Sequence, residues 1–260
     1  MSTTHTNARI KPGTFTPRPK RAPVARMVAA QGRIEAKLML RHGEQLLLNI
    51  LVPAAILIAS AKLTIAGTGF ELDRIVPMVF AVAASSAGFT GQAISLAFDR
   101  RYGALKRTGA SGVPAWTIIA GKILGVLATV AVQILALGAL ALLIGWSVTP
   151  AGAFAGLACL LIGVATFSAL GLLMGGSLSS ETVLALANLV WLILMGAVGW
   201  VVYSGDISAA GWYNAVPTVA LAGALSQSFA LVFHPGAWIS LALWALGAVA
   251  GTLRWFRFDG

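Results

Sequence analysis

Apolar runs of about 20 residues recur six times between residues 45 and 254, separated by short polar, glycine-rich or proline-bearing stretches. As a helix rising ~1.5 Å per residue, each run is long enough to cross ~30 Å of hydrocarbon. The pattern predicts an all-α integral membrane protein with six transmembrane helices. They lie at about 45–66, 76–98, 115–145, 152–176, 183–203 and 237–254.

Ahead of the first span, residues 24–42 repeat with a helical period. Arg26, Arg33, Lys37 and Arg41 form one stripe, and Met27, Ile34 and Leu38 the adjacent one. That arrangement predicts an N-terminal amphipathic helix lying in the inner interface, with an ordinary extension of the first span as the alternative. Residues 1–23 carry Pro12, Pro17, Pro19 and Pro23, five basic residues and few apolar ones. Such a segment buries too little surface to offset its ordering entropy, so a disordered basic cytoplasmic arm is expected, followed by one transmembrane domain over 24–258. Between the fifth and sixth spans, 204–236 includes an apolar stretch from Val216 to Phe233 interrupted by Ser226, Gln227 and Ser228. A further crossing there would place Arg254 and Arg257 outside, so short helices dipping into the outer leaflet are expected before the last span.

Composition supports this reading. The 260 residues are 58% hydrophobic and only 10% charged, too few polar residues to cover a soluble domain of this size. The net charge of +10 is not spread as a nucleic-acid-binding face would be. Nine of the 18 basic residues precede position 42, and Arg100, Arg101, Lys106 and Arg107 share the loop after the second span. Placing both termini inside puts these residues and Arg254 and Arg257 on the cytoplasmic face, as the positive-inside rule requires, with anionic membrane lipid as the counter-charge. Lys62 and Lys122 fall near span boundaries. No cleavable signal is expected, because the basic N-terminal region lacks an early apolar core. Gly121 with Gly125 and Gly171 with Gly175 form GxxxG pairs that suit close helix packing, although chance matches are common in a chain with 29 glycines.

Catalytic chemistry finds little support. HExxH, GxSxG and paired intramembrane carboxylates are missing. The single Cys159 lies in an apolar run, and His5, His42 and His234 have no metal-binding spacing, so no metal or other cofactor is expected. Nor does the chain carry a motor of its own. A P-loop needs GxxxxGK followed by Ser or Thr, whereas Gly121-Lys122 is followed by Ile123 and preceded at the required distance by Trp116. If ATP drives this protein, the ATPase and its ATP/Mg belong to another chain.

The residues 99–114, DRRYGALKRTGASGVP, form the basic loop best placed to meet a soluble partner. On these residues the chain resembles the ABC-2 type transporter permeases, in particular the drug-exporter branch typified by bacterial daunorubicin-resistance permeases. That family carries an acidic-basic-x-x-Gly-x-Leu-Lys/Arg-Arg stretch after its second span. Asp99, Arg100, Gly103, Leu105, Lys106 and Arg107 occupy it here, with Asp99 where the family often has glutamate. The resemblance implies an ATP-driven exporter in which this loop is a coupling helix docking on a separate cytoplasmic ABC ATPase. It also implies two ATPases beside two permeases, the second being another copy or a related chain in the bacterial inner membrane. Asp99, Arg100, Arg101, Gly103, Leu105, Lys106 and Arg107 are then the coupling residues, and Asp99 would favour the N-terminus of the coupling helix. The plainer reading of the same loop is a positive-inside anchor.

Ser179, Ser180 and Glu181 are a second candidate ATPase contact, with a helix cap as the competing reading. For an amphipathic cargo such as a drug or antibiotic, the candidate path residues are Phe89, Gln92, Asn188, Trp191, Trp200, Phe229 and Phe233, although aromatics at span ends also serve as interface anchors. A permease for a lipid or lipid-linked envelope glycan, or a non-transporting membrane scaffold or sensor, remain alternatives.

Overall fold

A computed structural model describes residues 22–41, 43–65, 71–110, 112–205, 207 and 210–255. All but the last two residues of the basic arm expected over 1–23 lie outside the described residues. The elements, in chain order, are α1 (Val24–Arg41), α2 (Gly43–Ile65), α3 (Leu72–Ser85), a π-helical turn (Ser86–Gly91), α4 (Gln92–Arg101) and α5 (Ala104–Ala110). Then follow α6 (Ala115–Leu143), α7 (Pro150–Ser177), α8 (Ser180–Ser204), a 3-10 turn (Gly211–Ala215), α9 (Pro217–Phe229) and α10 (Pro235–Trp255). No strand occurs among the described residues.

Five helices are long and apolar enough to cross a membrane: Leu72–Arg101, Trp116–Leu143, Pro150–Ser177, Ser180–Ser204 and Pro235–Trp255. The first of the six expected spans corresponds to α2, in which a shorter apolar helix, Ile50–Lys62, stands out. The protein is a multi-pass, all-helical membrane protein. Its helix ends follow local chemistry. Thr149 accepts the amide of Gly152 at 3.0 Å and Pro150 opens α7, while Ser179 accepts the amide of Thr182 at 3.3 Å at the start of α8.

The second span, α3–α4, is the most enclosed, and its burial identifies it as the centre of the bundle. The π turn in its middle meets α7 where side chains are small. A methyl group added at Gly171 would lie 2.6 Å from the carbonyl oxygen of Phe89 and 2.8 Å from that of Gly88, and one at Gly175 would collide with the carbonyl of Ala93. The Gly171/Gly175 pair therefore brings α7 onto the backbone of the second span.

The stretch after α8 folds back into the bundle. The Thr218 hydroxyl donates to the carbonyl of Leu194 at 2.8 Å, and the Trp244 indole donates to that of Ala215 at 2.8 Å. Leu194 and Trp244 lie ten and nine residues, roughly 15 Å, from Ser204 at the end of α8 and Pro235 at the start of α10. From there α9 climbs antiparallel to α7, Leu221 against Gly163 and Phe229 against Gly156 and Gly152. A short helix, α9, does lie in the stretch where dipping helices were expected, and it is buried among α3, α7, α8 and α10. This enclosure lets non-helical backbone sit at membrane depth. Phe229 closes the far end in an aromatic cluster with Phe80 and Trp146, whose indole donates to Asp73 at 2.9 Å.

α1 departs from expectation. Its contacts with α6 advance in step: Gln31 at Gly121, Glu35 at Gly125 and Met39 at Thr129. It therefore runs lengthwise beside the first half of α6, not flat across the end of the bundle. The packing face is Gln31, Gly32, Glu35 and Met39, whereas Ile34 and Leu38, the apolar stripe in the sequence, remain exposed. The cause is steric. Gly121 and Gly125 open a groove on α6 that accepts backbone and short stems, and this selects the face of α1 that packs.

Replacing Gly175 with Val is expected to destabilise the protein by about 1–3 kcal/mol, because the opposing atoms are main chain and have little freedom to move. Gly199→Ala, at a site where an added methyl meets nothing within 4 Å, is expected to leave stability unchanged or raise it. Reversible unfolding of both variants in mixed micelles checks the contrast.

Candidate functional site

At the end of α4 three charged residues follow one another, and helical geometry points them ~100° apart. Each reaches a different helix. Asp99 forms an ion pair with Lys122 of α6. The Arg100 guanidinium is buried against the end of α7, where one nitrogen donates to the carbonyls of Gly175 at 2.8 Å and Leu178 at 2.9 Å. Gly175 is in the last turn of α7, which has too few amide partners of its own, and Leu178 is the residue just beyond it, so Arg100 caps that helix with a positive charge where its dipole is negative. Arg101, more exposed, donates to the Ser180 hydroxyl at 3.2 Å and pairs with Glu181 in the first turn of α8.

The two candidate contact groups are thus one assembly. Ser179 caps α8, Ser180 bridges Arg101 and Glu181, donating to the latter at 3.2 Å, and Glu181 holds Arg101. Asp99 lies inside the last turn of α4. It does not cap the short helix that follows, which corrects the expectation that it would favour that helix's N-terminus.

Beyond the three charges, the chain turns at Tyr102 and Gly103. Gly103 has φ +67°, a conformation that costs other residues steric strain, and its amide donates to the Arg100 carbonyl at 3.0 Å. α5 then carries Lys106 and Arg107 exposed and Leu105 half-buried. The Tyr102 ring stacks on Phe98 and is 64% exposed. The result is a short basic helix held out from the bundle, its base fixed to three spans.

Lys122 was read in the sequence as a residue near a span boundary. Its side chain is only 1% exposed. Besides Asp99 it faces Glu35 of α1 at 3.5 Å and donates to Ser95 at 3.1 Å, while its carbonyl accepts the Gln92 amide at 3.2 Å. Sequence reasoning missed Glu35 as a partner. The Gly121-xxx-Gly125 pair flanking Lys122 was the available signal, since that pair is where α1 docks.

The seven path candidates do not line a single surface. An apolar cleft of about 550 Å³ lies between α7, α8 and α10, bounded by Phe89, Leu173, Met174, Ile193, Ala197 and Trp244. Only Phe89 of the seven borders it. Gln92 is buried at the α4–α6 contact, and Asn188 is exposed and bonded to its own helix at the Leu184 carbonyl. Trp191 is half-buried and Trp200 exposed on α8, Phe229 sits in the far-end aromatic cluster, and Phe233 stacks on Trp238 outside it. Among the described residues no group of three or more His, Cys, Asp or Glu could hold a metal.

The family model described as ABC-2 type transporter matches residues 30–229. No curated protein is significantly similar to the chain.

Arg100→Ala is expected to cost about 2–3 kcal/mol, since it strips the buried Gly175 carbonyl and the part-buried Leu178 carbonyl of a charged donor. Arg101→Ala, which removes an exposed pair, is expected to leave stability essentially unchanged. Thermal unfolding of the two variants in the same detergent separates them.

Proposed function

The chain belongs to the ABC-2 type transporter family, as its membrane permease component, and on that premise we propose that it is an exporter subunit driven through the loop 99–110 by a separate cytoplasmic ABC ATPase. Permease domains of this family lack ATPase motifs and typically pair with ABC ATPase subunits. The observation that carries the proposal is the anchoring of that loop: α5 is offered to a partner while Asp99, Arg100 and Arg101 tie its base to α6, α7 and α8. A displacement of α5 toward or away from the bundle is thereby passed to three spans at once, as a rigid-body change requires. A second permease, another copy or a related chain, completes the pathway.

The orientation that places α5 in the bacterial cytoplasm also gathers Arg100, Arg101, Lys106, Arg107 and Arg254 on that side, in keeping with the positive-inside rule. For cargo, the proposal is a hydrophobic or amphipathic compound of the drug or antibiotic kind, as in the exporter branch that the loop resembles. One feature supports it: the cleft beside Phe89 and Trp244 is almost wholly apolar.

The test is recovery of a Walker-A-bearing subunit with the tagged chain from native membranes in mild detergent. Reversing Lys106 and Arg107 to Glu is expected to abolish recovery without loss of the permease from the membrane, because both side chains are exposed. Gly103→Pro is expected to retain insertion but uncouple ATP hydrolysis from transport, since proline cannot adopt the positive φ or donate the amide bond. Failure to recover an ATPase with the unaltered chain, under conditions that preserve other membrane complexes, would refute the reading.

A further inference from the structure

Lys122 is the largest fully buried side chain of the described residues, and it joins three elements that are remote in sequence. On one side, Asp99 and Ser95, one turn apart on α4, both meet its ammonium group, and Gln92, a turn earlier, holds its carbonyl. On the other, Glu35 faces it from α1 at 3.5 Å and is itself held by the Gln31 side-chain amide at 3.0 Å. Glu35 reaches Lys122 only because the residues that flank it on α6, Gly121 and Gly125, have no side chain. A methyl at Gly125 would lie 2.9 Å from the Glu35 β-carbon, and one at Gly121 would collide with Gln31. One ammonium between two carboxylates, shielded from water, is bound more tightly to its partners than any exposed pair.

We infer that Lys122 is a positioning residue for transport, yoking α1 and the first half of α6 to the charged loop so that the three move as one body. The loop alone fixes only what Asp99, Arg100 and Arg101 touch. Through Glu35 the yoke extends to α1, which otherwise meets the bundle along a single helix, so that α1 follows the loop. α10 shares none of these ion pairs and meets the yoked group only through its packing on α7.

The inference rests on the coupling reading of the loop, and the two fail in different measurements. In a Cys159→Ala background, single cysteines replace the exposed Ala30 on α1, Ala110 at the end of α5 and Ala250 on α10. Pairs are spin-labelled in the permease–ATPase complex reconstituted in lipid nanodiscs, and distances are read without nucleotide and after trapping with ATP and vanadate. With Lys122 present, the 30–110 distance is expected to change by less than about 2 Å, the scale of a packed-helix adjustment, while 30–250 changes by more. Lys122→Met is expected to broaden the 30–110 distribution even without nucleotide. Glu35→Gln, a milder change that keeps the Lys122–Asp99 pair, is expected to do so without affecting assembly, which guards against misfolding of the first variant. A 30–110 distance that shifts as far as 30–250 would overturn the inference. So would variants indistinguishable from the parent, or immobility of both pairs on trapping. Loss of the ATPase from the complex would instead count against the coupling reading.

Discussion

A charge carried away from water must take its counter-charge or its hydrogen bonds with it, and the bundle is organised where that demand is greatest. Breaking a buried pair costs ~3–5 kcal/mol, more than any single apolar contact at a helix crossing. Three consecutive charged residues on one helix cannot share one partner, because each points a different way. Asp99, Arg100 and Arg101 therefore draw in Lys122, the last turn of α7 and the first turn of α8. Asp99 and Arg100 thus hold the first part of α6 and the end of α7 through buried groups, while Arg101, in a solvent-exposed pair, adds a weaker tie to α8.

The charges meet only because the backbones come close. Hydrocarbon offers little reward for bringing one apolar helix against another, so contacts form where small residues allow dense packing. Gly121 and Gly125 admit α1 to α6, and Gly171 and Gly175 admit the second span to α7. The same glycines bring Glu35 to Lys122 and Gly175's carbonyl to Arg100. Close packing and charge pairing are thus one constraint seen from two sides: without the glycines the ions remain apart, and without the ions the closely packed turns carry unsatisfied carbonyls.

Much of this was legible in the chain. Hydropathy placed the long helices to within a few residues, since proline, serine and threonine mark their ends plainly. That the stretch before α10 forms a short helix and not another long span followed from its polar interruption and from the charge rule. Which faces meet was harder to read. The pattern of α1 read as an interfacial helix with Ile34 and Leu38 on its apolar stripe, and that stripe is exposed; what the pattern did not reveal is that the glycine groove of α6 would take Gln31 and Glu35. Lys122 looked like a boundary lysine because nothing local reveals Glu35, 87 positions earlier in the chain. The π turn at Ser86–Gly91 had no signature beyond two glycines. The candidate loop was found by composition and resemblance, but its anchoring depends on helices that sequence cannot bring together.

Under the proposed coupling, the anchoring decides how a helix as short as α5 would serve as a lever. Seven residues are too few to hold helical form alone in water, where an isolated helix needs ~12–15 residues even in favourable sequences. α5 has little core of its own, with Leu105 half-buried and Lys106 and Arg107 exposed. Its shape comes from its base, where Gly103 turns the chain under the Arg100 carbonyl and the Thr108 hydroxyl donates back to Ala104 at 2.9 Å. A partner pressing on α5 therefore meets little compliance before the load reaches residues 99–101. From there the load would pass to α6 and α7 through buried contacts, and more weakly to α8 through the exposed Arg101–Glu181 pair. A loop tethered only by its peptide bonds would absorb the same displacement by bending.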